Sequence, residues 1–139
     1  MTSLITLEEI KAARDALPDV IRRTPILPLS RDSAEVGQEK LFLKAENLQV
    51  TGAYKVRAAF TMMNAIEPER LKNGLVLTSS GNFAQGFAYA GARRGVKVVV
   101  VMLDHTSPYK IQGTEGYGAE VFLCGTDASA RQDIVEQVA

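Results

Sequence analysis

Tyr54-Lys55-Val56-Arg57 places a primary amine at the start of a helix, directly after a glycine-bearing loop (Glu46 to Gly52) and a short apolar strand. A lysine there can pack its stem and turn its amine into a cavity. Lost solvent and nearby positive charge then favour the neutral, nucleophilic form. Such an amine can hold a carbonyl compound as an imine and can take up a proton. A second stretch, Thr78-Ser79-Ser80-Gly81-Asn82-Phe83-Ala84-Gln85-Gly86, repeats the strand–loop–helix form and gathers two hydroxyls and an amide at a helix start. Backbone N–H groups there, with the Asn82 amide, suit an anionic carboxylate without an arginine. The expectation is that the two loops face one pocket.

Taken singly, each residue has a plainer reading. Most lysines are solvated surface groups. Ser80 or Asn82 is placed to serve as a helix N-cap. Three other chemistries are excluded by pattern. Gly113, Gly116 and Gly118 run Gly-x-x-Gly-x-Gly, which reverses the dinucleotide fingerprint and closes a helix instead of opening one. There is no Gly-x-x-x-x-Gly-Lys phosphate loop, and no Gly-x-Ser-x-Gly elbow with a histidine to serve it.

The elements that must position these loops alternate along the chain. Thr6 and Glu9 form a capping box, Ile5 and Ile10 have the spacing of a hydrophobic staple, and Pro18 stops the helix they begin. Thr24 to Ser30 holds two prolines and reads as extended chain at an edge. A short polar helix is expected to end near Gly37. Leu41 to Ala45 is a strand. Val56, Ala59, Phe60 and Met63 give the helix from Tyr54 to Ala65 one apolar face. Glu67-Pro68-Glu69 and Asn73-Gly74 read as turns. Leu75 to Thr78, Val96 to Leu103 and Glu120 to Leu123 are strands, the middle one almost wholly apolar, as when both faces of a parallel sheet are covered. Asn82 to Arg94 is a helix closed by Gly95, Ser107-Pro108 opens another that ends near Gly116, and Ala128 to Val138 is helical. This alternation predicts an α/β fold with an open parallel sheet flanked by helices, in which both loops leave the carboxyl ends of strands, the binding edge of such sheets.

Composition sets the class. The chain has 139 residues, 46% of them apolar and 23% charged, a globular balance. Sixteen basic and sixteen acidic residues cancel, which removes the electrostatic footprint of a nucleic-acid binder. The single cysteine, Cys124, sits in an apolar run and reads as core, and His105 reads as a loop residue. No apolar run has the length of a membrane span, and Glu8 and Glu9 stand where a signal peptide needs positive charge. A cytoplasmic, reducing setting is the expectation.

Over most of its length the chain resembles the serine/threonine dehydratases (threonine ammonia-lyases), pyridoxal-phosphate enzymes of the tryptophan-synthase-β-like fold. The resemblance is carried by Thr24-Pro25-Ile26, Leu43 to Gln49, Thr51 to Arg57, Ser79 to Gly86, Lys110-Ile111 and Tyr117 to Val121. It implies pyridoxal 5'-phosphate as cofactor and a serine or threonine substrate that loses water to give a 2-oxo acid and ammonia. Lys55 matches the lysine that forms the Schiff base, and Tyr54 matches a ring, usually Phe, packed near the pyridine. Asn82 matches the asparagine that bonds the cofactor's ring hydroxyl. Ser79, Ser80, Asn82 and Phe83 match the loop that holds the substrate carboxylate. Ser80 also matches a serine used as acid/base in serine racemases.

The pattern departs from the family at Ala53 and Ala58, where Ser and Gly are usual, and at Leu103, where proline is usual. A cysteine-synthase-type member usually has Lys-Asp-Arg where this chain has Lys55-Val56-Arg57. The resemblance divides the chain into residues 1–40, an N-terminal segment of an otherwise missing large domain, and 41–139, a small α/β domain. It places the phosphate loop beyond residue 139, so little stable cofactor adduct is expected of this chain alone. The same residues serve a serine racemase or hydroxyaspartate dehydratase. A non-catalytic folding or interaction module is the reading outside enzymes, and a homo-oligomer, or association through the exposed domain interface, is expected of the assembly.

Overall fold

Apolar residues three and four apart make the helix after the glycine loop pack along one side. In the computed structural model, which describes residues 4–28, 41–127 and 129–138, that helix (α2, Lys55–Asn64) buries Val56, Ala59, Phe60 and Met63 completely or nearly so. Full burial of side chains the size of Phe60 and Met63 stabilises by about 1.5–3 kcal/mol each. Their partner is chiefly α4 (Asn82–Arg94), whose small residues Ala84, Gly86, Ala88, Ala90 and Gly91 let it sink among its neighbours. Gly95 ends α4 in the left-handed conformation at φ 66°, as expected of a helix-closing glycine.

β3 (Leu75–Thr78), β4 (Val98–Met102) and β5 (Glu120–Leu123) form a parallel sheet in the order β3-β4-β5. The register pairs Thr78 with Val101 and Met102 with Leu123. All five β4 residues are buried. Val98, Val100 and Met102 face the α2/α4 core, while Val101, with Leu103 and Cys124, packs with Val76, Ile134 and Val135. The last two belong to α6 (Ala130–Val138), so helices cover both faces of the sheet. α5 (Pro108–Gly116) crosses from β4 to β5 and packs on α4.

At the N-terminus, α1 (Leu7–Asp15) carries the complete Thr6–Glu9 capping box. The staple spacing does not produce a buried contact, since Ile5 and Ile10 are both exposed. The extended segment is β1 (Ile26–Pro28), and it pairs antiparallel with β2 (Phe42–Lys44). Here the sequence expectation is corrected: β2 does not join the parallel sheet among the described residues. Its three residues are all exposed, and Lys44 is tied back to the Thr24 carbonyl at 2.5 Å. Glu67-Pro68-Glu69 opens a one-turn helix (α3, Pro68–Leu71) instead of a simple turn, because proline suits the first helical position. The helix expected to end near Gly37 lies outside the described residues. Among those residues no helix is long and apolar enough to cross a membrane, and no cluster of metal-ligating side chains occurs.

Candidate active site

The loop before Lys55 is shaped by hydrogen bonds that lie far apart in sequence. A 3-10 turn at Glu46–Leu48 follows β2, and Gly52, at φ 70°, turns the chain toward α2 while its N–H bonds the Gln49 carbonyl at 2.8 Å. A side chain at that φ would be strained. Gln49 is buried, and its amide spans the backbone of Arg22: Nε2 donates to the Arg22 carbonyl at 2.9 Å, and Oε1 accepts from the Arg22 N–H at 3.0 Å.

Glu46 accepts from Arg57 through both carboxylate oxygens at 2.9 Å, and from the Thr24 hydroxyl. Arg57 also donates to the Arg22 carbonyl at 2.8 Å. The Arg57 hydrogen bonds hold the Glu46 carboxyl below its usual range, with the Thr24 hydroxyl and the charge of Lys44 adding to the effect against a desolvation cost. Glu46 and Arg57 thus bracket the segment that carries Lys55.

Lys55 is half-buried. Its Nζ lies 4.7 Å from the centroid of the Tyr54 ring and 5.9 Å from that of Phe83. No carboxylate pairs with Lys55 among the described residues, and its amine stands over two π faces. Phe83 stands on the first turn of α4 and packs edge-on against Phe87 at 4.8 Å. The start of α2 at Lys55 and the first turn of α4, which follows the Ser79–Asn82 loop, therefore adjoin.

At the other loop, the Ser79 N–H bonds the Val101 carbonyl at 3.3 Å, which extends the sheet by one residue. The Ser79 hydroxyl accepts from the Gly81 N–H at 3.4 Å. Neither Ser80 nor Asn82 caps α4, contrary to the plainer reading of those residues. The N-cap is Gly81, and among the described residues no side chain caps the first turn. Ser80 is turned toward the neighbouring crossover, where its Oγ accepts from the Thr106 hydroxyl at 2.9 Å and the Leu103 N–H at 3.4 Å. Asn82 is exposed, and its Oδ1 accepts from the Lys110 ammonium.

Sequence reasoning quoted Thr24 and Lys110 only as part of the family match, with no role assigned, and did not single out Thr106. Thr106 and Lys110 follow β4, whose carboxyl end adjoins that of β3, and this adjacency was the signal that could have found them.

The donor set is a primary amine against two rings, a helix start whose first-turn N–H groups meet no side chain among the described residues, an amide and a serine hydroxyl. It suits a planar aldehyde bound at the amine and a carboxylate bound at the helix start, so the residues present fit the cofactor that the resemblance implies.

Comparison with known proteins places the chain in a family. The family described as "Pyridoxal-phosphate dependent enzyme" matches residues 17–139. The catabolic L-threonine dehydratase of Staphylococcus aureus is 33% identical over 98% of this chain and 39% of its own length. The crystal structure of serine racemase from Dictyostelium discoideum superposes with a TM-score of 0.84 at 36% identity, covering 96% of this chain and 42% of the racemase. A pyridoxal 5'-phosphate-dependent aspartate racemase superposes with a TM-score of 0.86 at 36% identity, covering 97% and 42%. The chain thus spans about two fifths of the length of the relatives it matches.

Proposed function

The chain belongs to the pyridoxal-phosphate dependent enzyme family, and on that premise we propose that it supplies the lysine side of a serine/threonine dehydratase site. The observation that carries this reading is the adjoining of the two helix starts, with the Lys55 amine beside Tyr54 and beside Phe83 of α4. Bound there, pyridoxal phosphate offers an aldehyde to an amine and a sink for the electron pair left when an α-proton departs.

Lys55 would hold the cofactor covalently and, once displaced by the amino group of serine or threonine, would accept the α-proton at Nζ. The first-turn N–H groups of α4 and the Ser79 hydroxyl would orient the substrate carboxylate. The Asn82 amide would donate to the cofactor's ring oxygen, and Tyr54 would limit water beside it. The large-domain share of the site, with the phosphate-holding loop, would come from the part of the fold these relatives carry outside the match, and residues 41–139 would form the small domain.

The test is borohydride reduction of the chain with excess pyridoxal phosphate, followed by peptide mass spectrometry. Lys55 is the expected first site of labelling, with Lys55→Met abolishing that peptide's adduct. Preferential labelling of another lysine would sink the assignment.

A racemase is the second reading, favoured by Ser80. Its hydroxyl is held by Thr106 and the Leu103 N–H just before the start of α4, where it would deliver a proton to an α-carbon. Ammonia release from serine or threonine supports the dehydratase, and inversion without ammonia supports the racemase.

A further inference from the structure

We infer that Lys110 is a positioning residue that locks the Asn82 side-chain amide with its NH2 group as the end offered to a ligand; this rests on the reading of Asn82 given above. An ammonium group has three donors and no acceptor, so it can bond only the carbonyl end of an amide. The Lys110 ammonium donates to Asn82 Oδ1. With that oxygen held, the other end of the amide can only donate, and the ligand atom it meets must be an acceptor such as a phenolate or carboxylate oxygen. Without Lys110 the amide is free to turn over and present its oxygen, which repels such an atom.

The packing of α5 on α4 puts Lys110 in place. Gly113, three residues after Lys110, lies against Gln85, three residues after Asn82: a Cβ at Gly113 would stand 2.3 Å from Gln85 Nε2. The two contacts are therefore one helical turn apart on both helices. Thr114, fully buried, donates its hydroxyl to the Lys110 carbonyl at 2.8 Å and fixes that turn of α5. Lys110 is itself half-buried, and among the described residues no carboxylate pairs with it. Its charge thus adds to the positive end of α4 at the place where an anion would sit.

The test uses the 139-residue chain without cofactor, 15N-labelled, with the Asn82 NH2 resonances assigned by their loss in Asn82→Asp. Lys110→Met is expected to shift that pair strongly, while Lys110→Arg, which also donates and cannot accept, keeps it near its original position. In cofactor trapping, Lys110→Met is expected to lower the Lys55 adduct by about fivefold, the scale of one net hydrogen bond, with recovery in Lys110→Arg. Lys110→Glu should lower it further, because a carboxylate would bond the NH2 and turn the oxygen outward. Unchanged Asn82 resonances in Lys110→Met, or an arginine variant as altered as the methionine variant, overturns the inference. A wild-type chain labelled preferentially at another lysine counts against the functional reading alone, since the resonances still decide the role of Lys110.

Discussion

Gly86 lacks a side chain where the backbone of Lys55 needs the space. A Cβ there would lie 3.1 Å from the carbonyl carbon and oxygen of Lys55 and 3.1 Å from the Val56 nitrogen. All three are backbone atoms, which yield only if α2 moves as a whole. Gly86→Ala is therefore expected to cost about 1–3 kcal/mol in urea denaturation and to weaken labelling of Lys55. Gly116→Ala, where a Cβ meets nothing within 4 Å, should be neutral or slightly stabilising. Equal stability of the two variants would refute the close-approach account. In the sequence, Gly86 stood out only as the end of a motif, because nothing local separates a packing glycine from any other helical glycine. Lys55, Ser80 and Asn82 were legible as candidates from their placement at helix starts and from the family resemblance. Their partners Thr106 and Lys110 lie more than twenty residues downstream and reach them only through the order β3-β4-β5.

Between elements, the joint that matters most is the one tying β1, β2 and α2 together through Thr24, Glu46 and Arg57. The Glu46 and Arg57 side chains are 18% and 28% exposed, so the pair is neither fully solvated nor deeply buried. Glu46→Gln is expected to destabilise by about 1 kcal/mol at neutral pH. The folded state lowers the Glu46 pKa, so its stabilising contribution is complete above the ordinary carboxylate range. It is lost as pH falls through that range toward the lowered folded value. Denaturation midpoints of wild type and Glu46→Gln should accordingly differ most near pH 7 and converge in acid. A difference that grows in acid would have the wrong sign for this mechanism. The long elements were legible because their periods are strong: four apolar positions on α2, and an unbroken apolar β4 that only a doubly covered sheet explains. β2 was read as a strand but placed with the wrong neighbours. Three residues carry no signal of direction, and its partner β1 was visible only as a proline-rich edge.

At the scale of the molecule, the apolar surface is unevenly spent. The sheet and α4 are closed on themselves, yet Ile26, Leu27, Phe42 and Leu43 on β1 and β2 are each about half exposed or more, and so are Leu4, Ile5, Leu7 and Ile10 in and before α1. Scattered exposed apolar residues are ordinary, but a strand pair whose six residues are all exposed, uncovered among the described residues, suits contact with another chain. In the relatives, about three fifths of the polypeptide lies outside the portion matched here. A solution of this chain offers the strand pair only another copy of itself. Burying one such side chain gains up to about 1.5–3 kcal/mol, so a few of them mated across two copies reach micromolar association after the entropy of docking is offset. Sedimentation velocity between 1 and 100 µM is expected to show a concentration-dependent dimer or larger species. The double variant Leu27→Glu/Phe42→Glu should shift it to monomer and leave Lys55 labelling unchanged, because Leu27 and Phe42 are not part of the α2/α4 core. A wild-type chain that stays monomeric throughout would show that the exposed strand pair does not drive association. Loss of labelling in the double variant would instead show that the strand pair and the Lys55 loop are one mechanical unit through Lys44 and Glu46.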